Sequence, residues 1–261
     1  MGLSRAYVLE SPTYFRQNPP VFDHLTIRAR DFHASGSFYR LALGEPRFDD
    51  GSSFTAWGNF ILARTSEERA PAKRLHIGFG AHDRAEVDSW WERLTGAGYE
   101  SDGDPGERLQ YHASYYGAFV LDPDGNSVEL VHHHTTSPEA TLIDHLWLRT
   151  PSVEAAKRFY ETIAPVVGIK LVHDTPERVR FTDGVGSFSF VHGADPTENV
   201  HYAFAVGDRA TVDEFHRVAT SAGYEDNGAP GERPQYQPGY YGAFVLDPDG
   251  HNIEAVFHDR G

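Results

Sequence analysis

The chain has 261 residues, with 23 Lys and Arg against 38 Asp and Glu, a net charge of −15, 15 His and no Cys. Disulfides, thiolate nucleophiles and thiolate zinc sites are thereby excluded, so any metal must be held by His, Asp, Glu or water. The negative balance argues against a nucleic-acid backbone as partner, and no apolar run reaches the ~18 residues of a membrane span. The first twenty residues lack the apolar core of a signal peptide, which predicts a cytoplasmic protein.

In chain order, residues 1–21 read as an N-terminal extension. Residues 24–29 alternate like a strand, and Asp31 then caps a helix with Ala34, Phe38 and Leu41 on one face. Gly-punctuated extended stretches follow through residue 64. The pattern restarts with a strand at residues 76–81 and a helix begun by Asp83, with Val87, Trp90, Trp91 and Leu94 at i, i+3, i+4 and i+7. Gly96 and Gly98 close it. A polar loop to Glu107 precedes two strands joined at Asp122-Pro123-Asp124-Gly125, a turn signal. The order is β-α-β-β-β, twice.

The whole series then repeats. Residues 98–129 and 223–254 are identical at 22 of 32 positions at an offset of 125, and residues 22–43 and 75–98 parallel 143–164 and 200–223. This predicts an α+β protein of tandem duplicated domains, 22–134 and 143–258, joined by a linker at 135–142. His132, His133 and His134 read as the solvated start of that linker. Phe38-Tyr39, Trp90-Trp91 and Phe159-Tyr160 read as core.

Three residue types recur at matched places. A His opens the first strand of each unit (His24, His76, His145, His201), and a Glu stands in the last strand of each copy (Glu129, Glu254). A carboxylate inside an apolar strand costs several kcal/mol unless it is paired or metal-bound. Two imidazoles and one carboxylate form a facial triad with open positions, the set associated with non-heme Fe(II) and compatible with Mn, Co, Ni or Zn. The expected sets are His24, His76 and Glu129 in the first copy and His145, His201 and Glu254 in the second.

The openings FDHLTIRARD and IDHLWLRT and the endings FVLDPDGNSVELV and FVLDPDGHNIEAV resemble the vicinal oxygen chelate superfamily, which includes glyoxalase I, extradiol dioxygenases, fosfomycin-resistance enzymes and bleomycin-binding proteins. The resemblance covers residues 22–258. It implies paired βαβββ units forming a cupped mixed sheet around a divalent metal that binds two neighbouring oxygens of a small molecule, and it leaves a homodimer open. Two departures stand out. Glyoxalase I has a further carboxylate ligand near the end of the first unit, where this chain has residues 60–64 and 188–192 without Glu. The remaining His, His, Glu set is that of extradiol dioxygenases, yet Phe119 and Phe244 occupy the place of their substrate-facing Tyr, and Gln110 and Gln235 lie near that of their acid–base His.

The loops QYHASYYG and QYQPGYYG offer replacements. Tyr116, Tyr241 and His112 are the expected catalytic groups, as phenol donors and a proton carrier, with Tyr111, Tyr115, Phe119, Tyr236, Tyr240 and Phe244 against the substrate. The reading is a metal-dependent, dioxygenase-like enzyme. The alternatives are a non-catalytic binding or resistance protein and a metal-dependent lyase or isomerase.

Overall fold

The structure is a computed structural model and describes residues 22–136, 138 and 141–259. The extension at residues 1–21 and part of the linker lie outside the described residues.

Four βαβββ units follow one another. The first comprises β1 (His24–Ala29), α1 (Phe32–Leu43), β2 (Phe48–Asp49), β3 (Phe54–Trp57) and β4 (Phe60–Arg64). The second comprises β5 (His76–Gly80), α2 (Arg84–Gly96), β6 (Ser101–Glu107), β7 (Tyr116–Leu121) and β8 (Ser127–His132). The second copy continues with β9 (Ile143–Thr150), α3 (Val153–Val167), β10 (Lys170–Thr175), β11 (Arg178–Thr182) and β12 (Ser187–His192). It ends with β13 (His201–Ala205), α4 (Arg209–Ser221), β14 (Asp226–Glu232), β15 (Tyr240–Leu246) and β16 (Asn252–His258).

Local chemistry starts each helix. The carboxylates of Asp31, Asp83 and Asp208 and the hydroxyl of Ser152 accept from first-turn amides, each cap being worth about 1 kcal/mol. The Asp-Pro-Asp-Gly turns have a second task. Asp122 accepts from the amides of Asp124 and Asn126 and also from the Tyr39 hydroxyl of α1, at 2.9 Å, and Tyr160 donates likewise to Asp247. A buried carboxylate so satisfied pins the helix of one unit to the last hairpin of the next.

The α+β architecture of tandem copies is as expected, but the units pair across the copies. One sheet runs β10-β11-β12-β9-β5-β8-β7-β6 and the other β14-β15-β16-β13-β1-β4-β3-β2. The first therefore joins the second and third units, and the second joins the first and fourth. β5 runs antiparallel to β9, and β1 antiparallel to β13. Within a copy the contact is made by helices instead, α1 on α2 and α3 on α4. The apolar faces of both sheets, with Leu25, Ile27, Ile77, Phe79, Leu146, Leu148, Tyr202 and Phe204, enter one continuous core. Their alternate residues line two concave faces.

Candidate metal centres

The exchange of units determines which ligands meet. His76, Glu129 and His145 form one cluster and His24, His201 and Glu254 the other, with one ligand atom of each residue within 4.8 Å of the others. This corrects the expected sets, in which each copy supplied its own three ligands. The reason is the central strand pairing: Gly78 is in register with His145 and with Glu129, and Ala203 with His24 and Glu254, so each pair of neighbouring strands brings a His from one copy beside a His and Glu from the other.

In the first centre His76 Nε2 lies 3.0 Å from Glu129 Oε2 and 3.1 Å from His145 Nε2, and His145 Nε2 lies 3.2 Å from the same carboxylate oxygen. In the second the His24 and His201 Nε2 atoms are 3.1 Å apart, and they stand 3.6 and 3.3 Å from Glu254 Oε2. Both glutamates are only 1% exposed. Three donor atoms turned to one point inside a cup, two neutral-capable imidazoles and one buried carboxylate, fit a divalent ion.

The surroundings hold each ligand in place. His145 Nδ1 pairs with Asp144 at 2.8 Å, and Asp144 also receives His133 Nε2 at 3.2 Å. The second centre repeats this, with His24 Nδ1 on Asp23 at 2.9 Å and His258 Nε2 on Asp23 at 2.8 Å. Such partners fix the tautomer and ring plane of a metal-ligating His. His76 Nδ1 faces Ser127 Oγ at 3.1 Å, whereas His201 Nδ1 meets the carbonyl of Asn252 at 2.9 Å. Burial works against the charge on Glu129, but the hydrogen bonds and charges of His145 and His76 outweigh it and hold its pKa at about 2. Burial likewise opposes charge on His145, yet Asp144 and Glu129 raise it to about 9. The second centre divides its histidines: burial lowers His201, while Asp23 and Glu254 overcome burial and raise His24.

The tyrosines sort by strand parity. Tyr115 donates to Glu129 Oε1 at 2.8 Å and Tyr240 to Glu254 Oε1 at 2.6 Å, and burial beside the carboxylate pushes both phenols upward. Tyr116 and Tyr241, expected as catalytic donors, lie on the opposite face of the strand. They donate to Asp88 and Asp213 on the helices, at 2.7 and 2.8 Å, under Arg84 and Arg209. Phe119 and Phe244 stand in register with Glu129 and Glu254, their rings 5.7 and 6.1 Å from His76 and His201.

A cleft opens from the first centre. Its walls include Tyr111, Tyr115, His112, Trp147 and Arg178. Tyr111 packs edgewise on Trp147 at 5.7 Å, and Tyr236 meets Tyr240 at 5.2 Å beside the other centre. His112 stacks on His134 at 4.2 Å and uses Nδ1 on Ser114, leaving Nε2 without a hydrogen-bond partner among the described residues. The side of His145 away from Gly78 holds Ser187, in register with it, and no carboxylate. The triad is thus open on the side toward the cleft.

Several of these residues escape a reading of the sequence alone. Asp23 and Asp144 precede a His in both copies, and His133 just after β8 has its repeat counterpart in His258 at the end of β16, which is the repeat signal that marks them. His133 is therefore no solvated linker residue. Trp147, Arg178 and Arg180 have no counterpart in the other copy and leave no such trace.

A model of the Glyoxalase/Bleomycin resistance protein/Dioxygenase superfamily matches residues 21–130 and 142–255. An uncharacterized Pseudomonas aeruginosa protein, PA2024, is 30% identical over 125 residues, 43% of this chain and 85% of that protein. Glyoxalase I from Zea mays superposes with a TM-score of 0.65 at 19% identity, covering 94% of this chain and 95% of that one, and its V278E mutant with 0.66 at 20% identity and the same coverage. At that identity the likeness concerns the fold.

Proposed function

Because the chain belongs to the glyoxalase/bleomycin resistance protein/dioxygenase superfamily, we propose that it is a divalent-metal-dependent enzyme acting on a small molecule with two adjacent oxygens, with ring-opening dioxygenation as the best-supported reaction. The observation that carries this reading is the open three-ligand set with a buried glutamate, beside which the strand next to His145 offers Ser187 in register and no carboxylate. His76, Glu129 and His145 would hold one ion, and His24, His201 and Glu254 a second, Fe(II) being favoured by the donor set. Bound there, the metal supplies Lewis acidity and a template for substrate oxygens.

The protein's own groups do the rest. Asp144 keeps His145 presenting Nε2, and Tyr115 holds the second oxygen of Glu129 so that Oε2 points to the shared centre. Phe119, Tyr111 and Trp147 supply apolar walls that exclude water and orient a flat ring. His112, at the cleft rim with one free nitrogen, is the proton carrier. The second reading is a lyase or isomerase, favoured by Phe119 standing opposite Glu129 where a phenol donor would serve ring cleavage.

Oxygen uptake separates the two readings. Protein loaded with Fe(II) and offered catechols is expected to consume O₂ in step with appearance of a ring-opened chromophore. Binding of catechols with substrate conversion but no O₂ uptake would favour the second reading. No binding at all by the metal-loaded protein would refute both.

A further inference from the structure

The cleft at the His76–Glu129–His145 centre holds two arginines that have no ion-pair partner among the described residues. Arg178 and Arg180 lie two residues apart on β11 and therefore on one face of the strand. Arg180 is in register with Ser189, and Ser189 with Trp147, which places the pair on the concave face that holds His145. Both arginines line the cleft. Neither forms an ion pair among the described residues, although the chain carries 38 acidic residues against 23 basic ones.

Their environments are specific. The Arg178 guanidinium lies 5.0 Å from the centre of the Trp147 ring, and its Nε is buried with no hydrogen-bond partner among the described residues. Arg180 donates through Nη2 to Ser187 Oγ at 3.1 Å, and Ser187 is the residue in register with His145. One arginine is thus held by stacking and the other by a hydroxyl beside the metal ligands. A buried guanidinium donor without an acceptor is unfavourable, and two unpaired cations side by side repel. An oxyanion satisfies both, because the guanidinium fork matches the two oxygens of a carboxylate.

The equivalent positions of the other cup, aligned through strand register, are Phe54 and Ala56, so the feature belongs to one centre. Arg28 on β1 of that cup has its repeat counterpart in Arg149 on β9, so that cation is common to both cups and the Arg178–Arg180 pair is not. Duplication has kept the six candidate ligands and changed the wall.

We propose that the substrate of the His76–Glu129–His145 centre carries a carboxylate, received by Arg178 and Arg180, in addition to the adjacent oxygens that face the ligands. This rests on that centre holding a metal that chelates substrate. The planar body of such a molecule lies against Trp147 and Tyr111, between the cations and the ligands.

The test is calorimetric binding of 3,4-dihydroxybenzoate, catechol and benzoate to the full chain loaded with Zn(II), which has no redox chemistry, for the wild type, Arg180→Gln and the Arg178→Gln, Arg180→Gln double variant. The expected result is that 3,4-dihydroxybenzoate binds about tenfold or more tightly than catechol to the wild type, and that this ratio falls toward one in the double variant. Arg180→Gln, at an exposed position that leaves the Trp147 stack intact, should lose part of it even where the double variant folds poorly. Wild-type protein that prefers catechol, or variants that keep the full preference, would overturn the carboxylate subsite. Catechol failing to bind while the benzoates bind and lose affinity in the variants would sink the metal reading and uphold the arginines.

Discussion

At the scale of single residues, the parity of one strand decides which tyrosine matters. Tyr115 and Tyr116 are neighbours, yet one donates to Glu129 and the other to Asp88 on the outer helix. Tyr115→Phe removes a hydrogen bond that orients a candidate ligand, and partners of this kind are worth about 10- to 100-fold in metal affinity. Competition against a chromophoric chelator should show weaker binding of about one metal ion per chain in Tyr115→Phe and no change in Tyr116→Phe; equal effects would contradict the assignment. A second residue tests the copies against each other. Asn126 sits after the Asp122 turn, accepts from the Leu75 amide and donates to Asp122, whereas its counterpart His251 is fully buried with neither ring nitrogen partnered among the described residues. His251→Asn restores the missing bonds, so thermal melting should rise by about 2–4 °C, the response of a chain this size to about 1 kcal/mol. A lower melting point would mean that the ring's packing outweighs its unsatisfied nitrogens.

At the scale of elements, the central strand of each cup sets how near its ligands stand. A Cβ on Gly78 would overlap the His145 ring, so only glycine lets β5 approach β9 with that ring in place, while the equivalent residue in the other cup is Ala203. His24 is accordingly farther from its glutamate, at 3.6 Å, than His145 is from its own, at 3.2 Å. Gly78→Ala should weaken metal binding at the first centre alone, read as a split of one affinity class into two in a metal titration; an unchanged titration would show that the ring has room. Much at this scale was legible beforehand. The alternation from His24 to Ala29, the caps at Asp31 and Asp83 and the turn at Asp122 are local signals, and they place both the strands and the six candidate ligands. The sequence does not tell Tyr115 from Tyr116, because a shift of one residue at the start of β7 moves every side chain to the other face, and nothing in QYHASYYG fixes that start. His133 looks like linker in the sequence because its partner, Asp144, belongs to the next copy's first strand.

At the scale of the whole molecule, the duplication hides the topology that it creates. The two copies carry near-equivalent strands, so no local signal tells β1 to pair with β13 and not with β5, and only the long-range assembly discriminates. Each copy alone presents two unpaired inner strand edges, which are templates for association. Residues 22–134 expressed alone should therefore form a dimer by sedimentation, each chain lending its β1 edge to the β5 edge of the other; a folded monomer would contradict the exchange. Each candidate metal centre draws its ligands from both copies, and metal stoichiometry under chelator challenge tests this most directly. His24→Gln with His201→Gln removes two ligands from one centre, while His24→Gln with His76→Gln removes one from each. The first pair should retain about one metal ion per chain and the second almost none. The reverse pattern, with the first pair empty and the second retaining one ion, would show that each copy builds its own site.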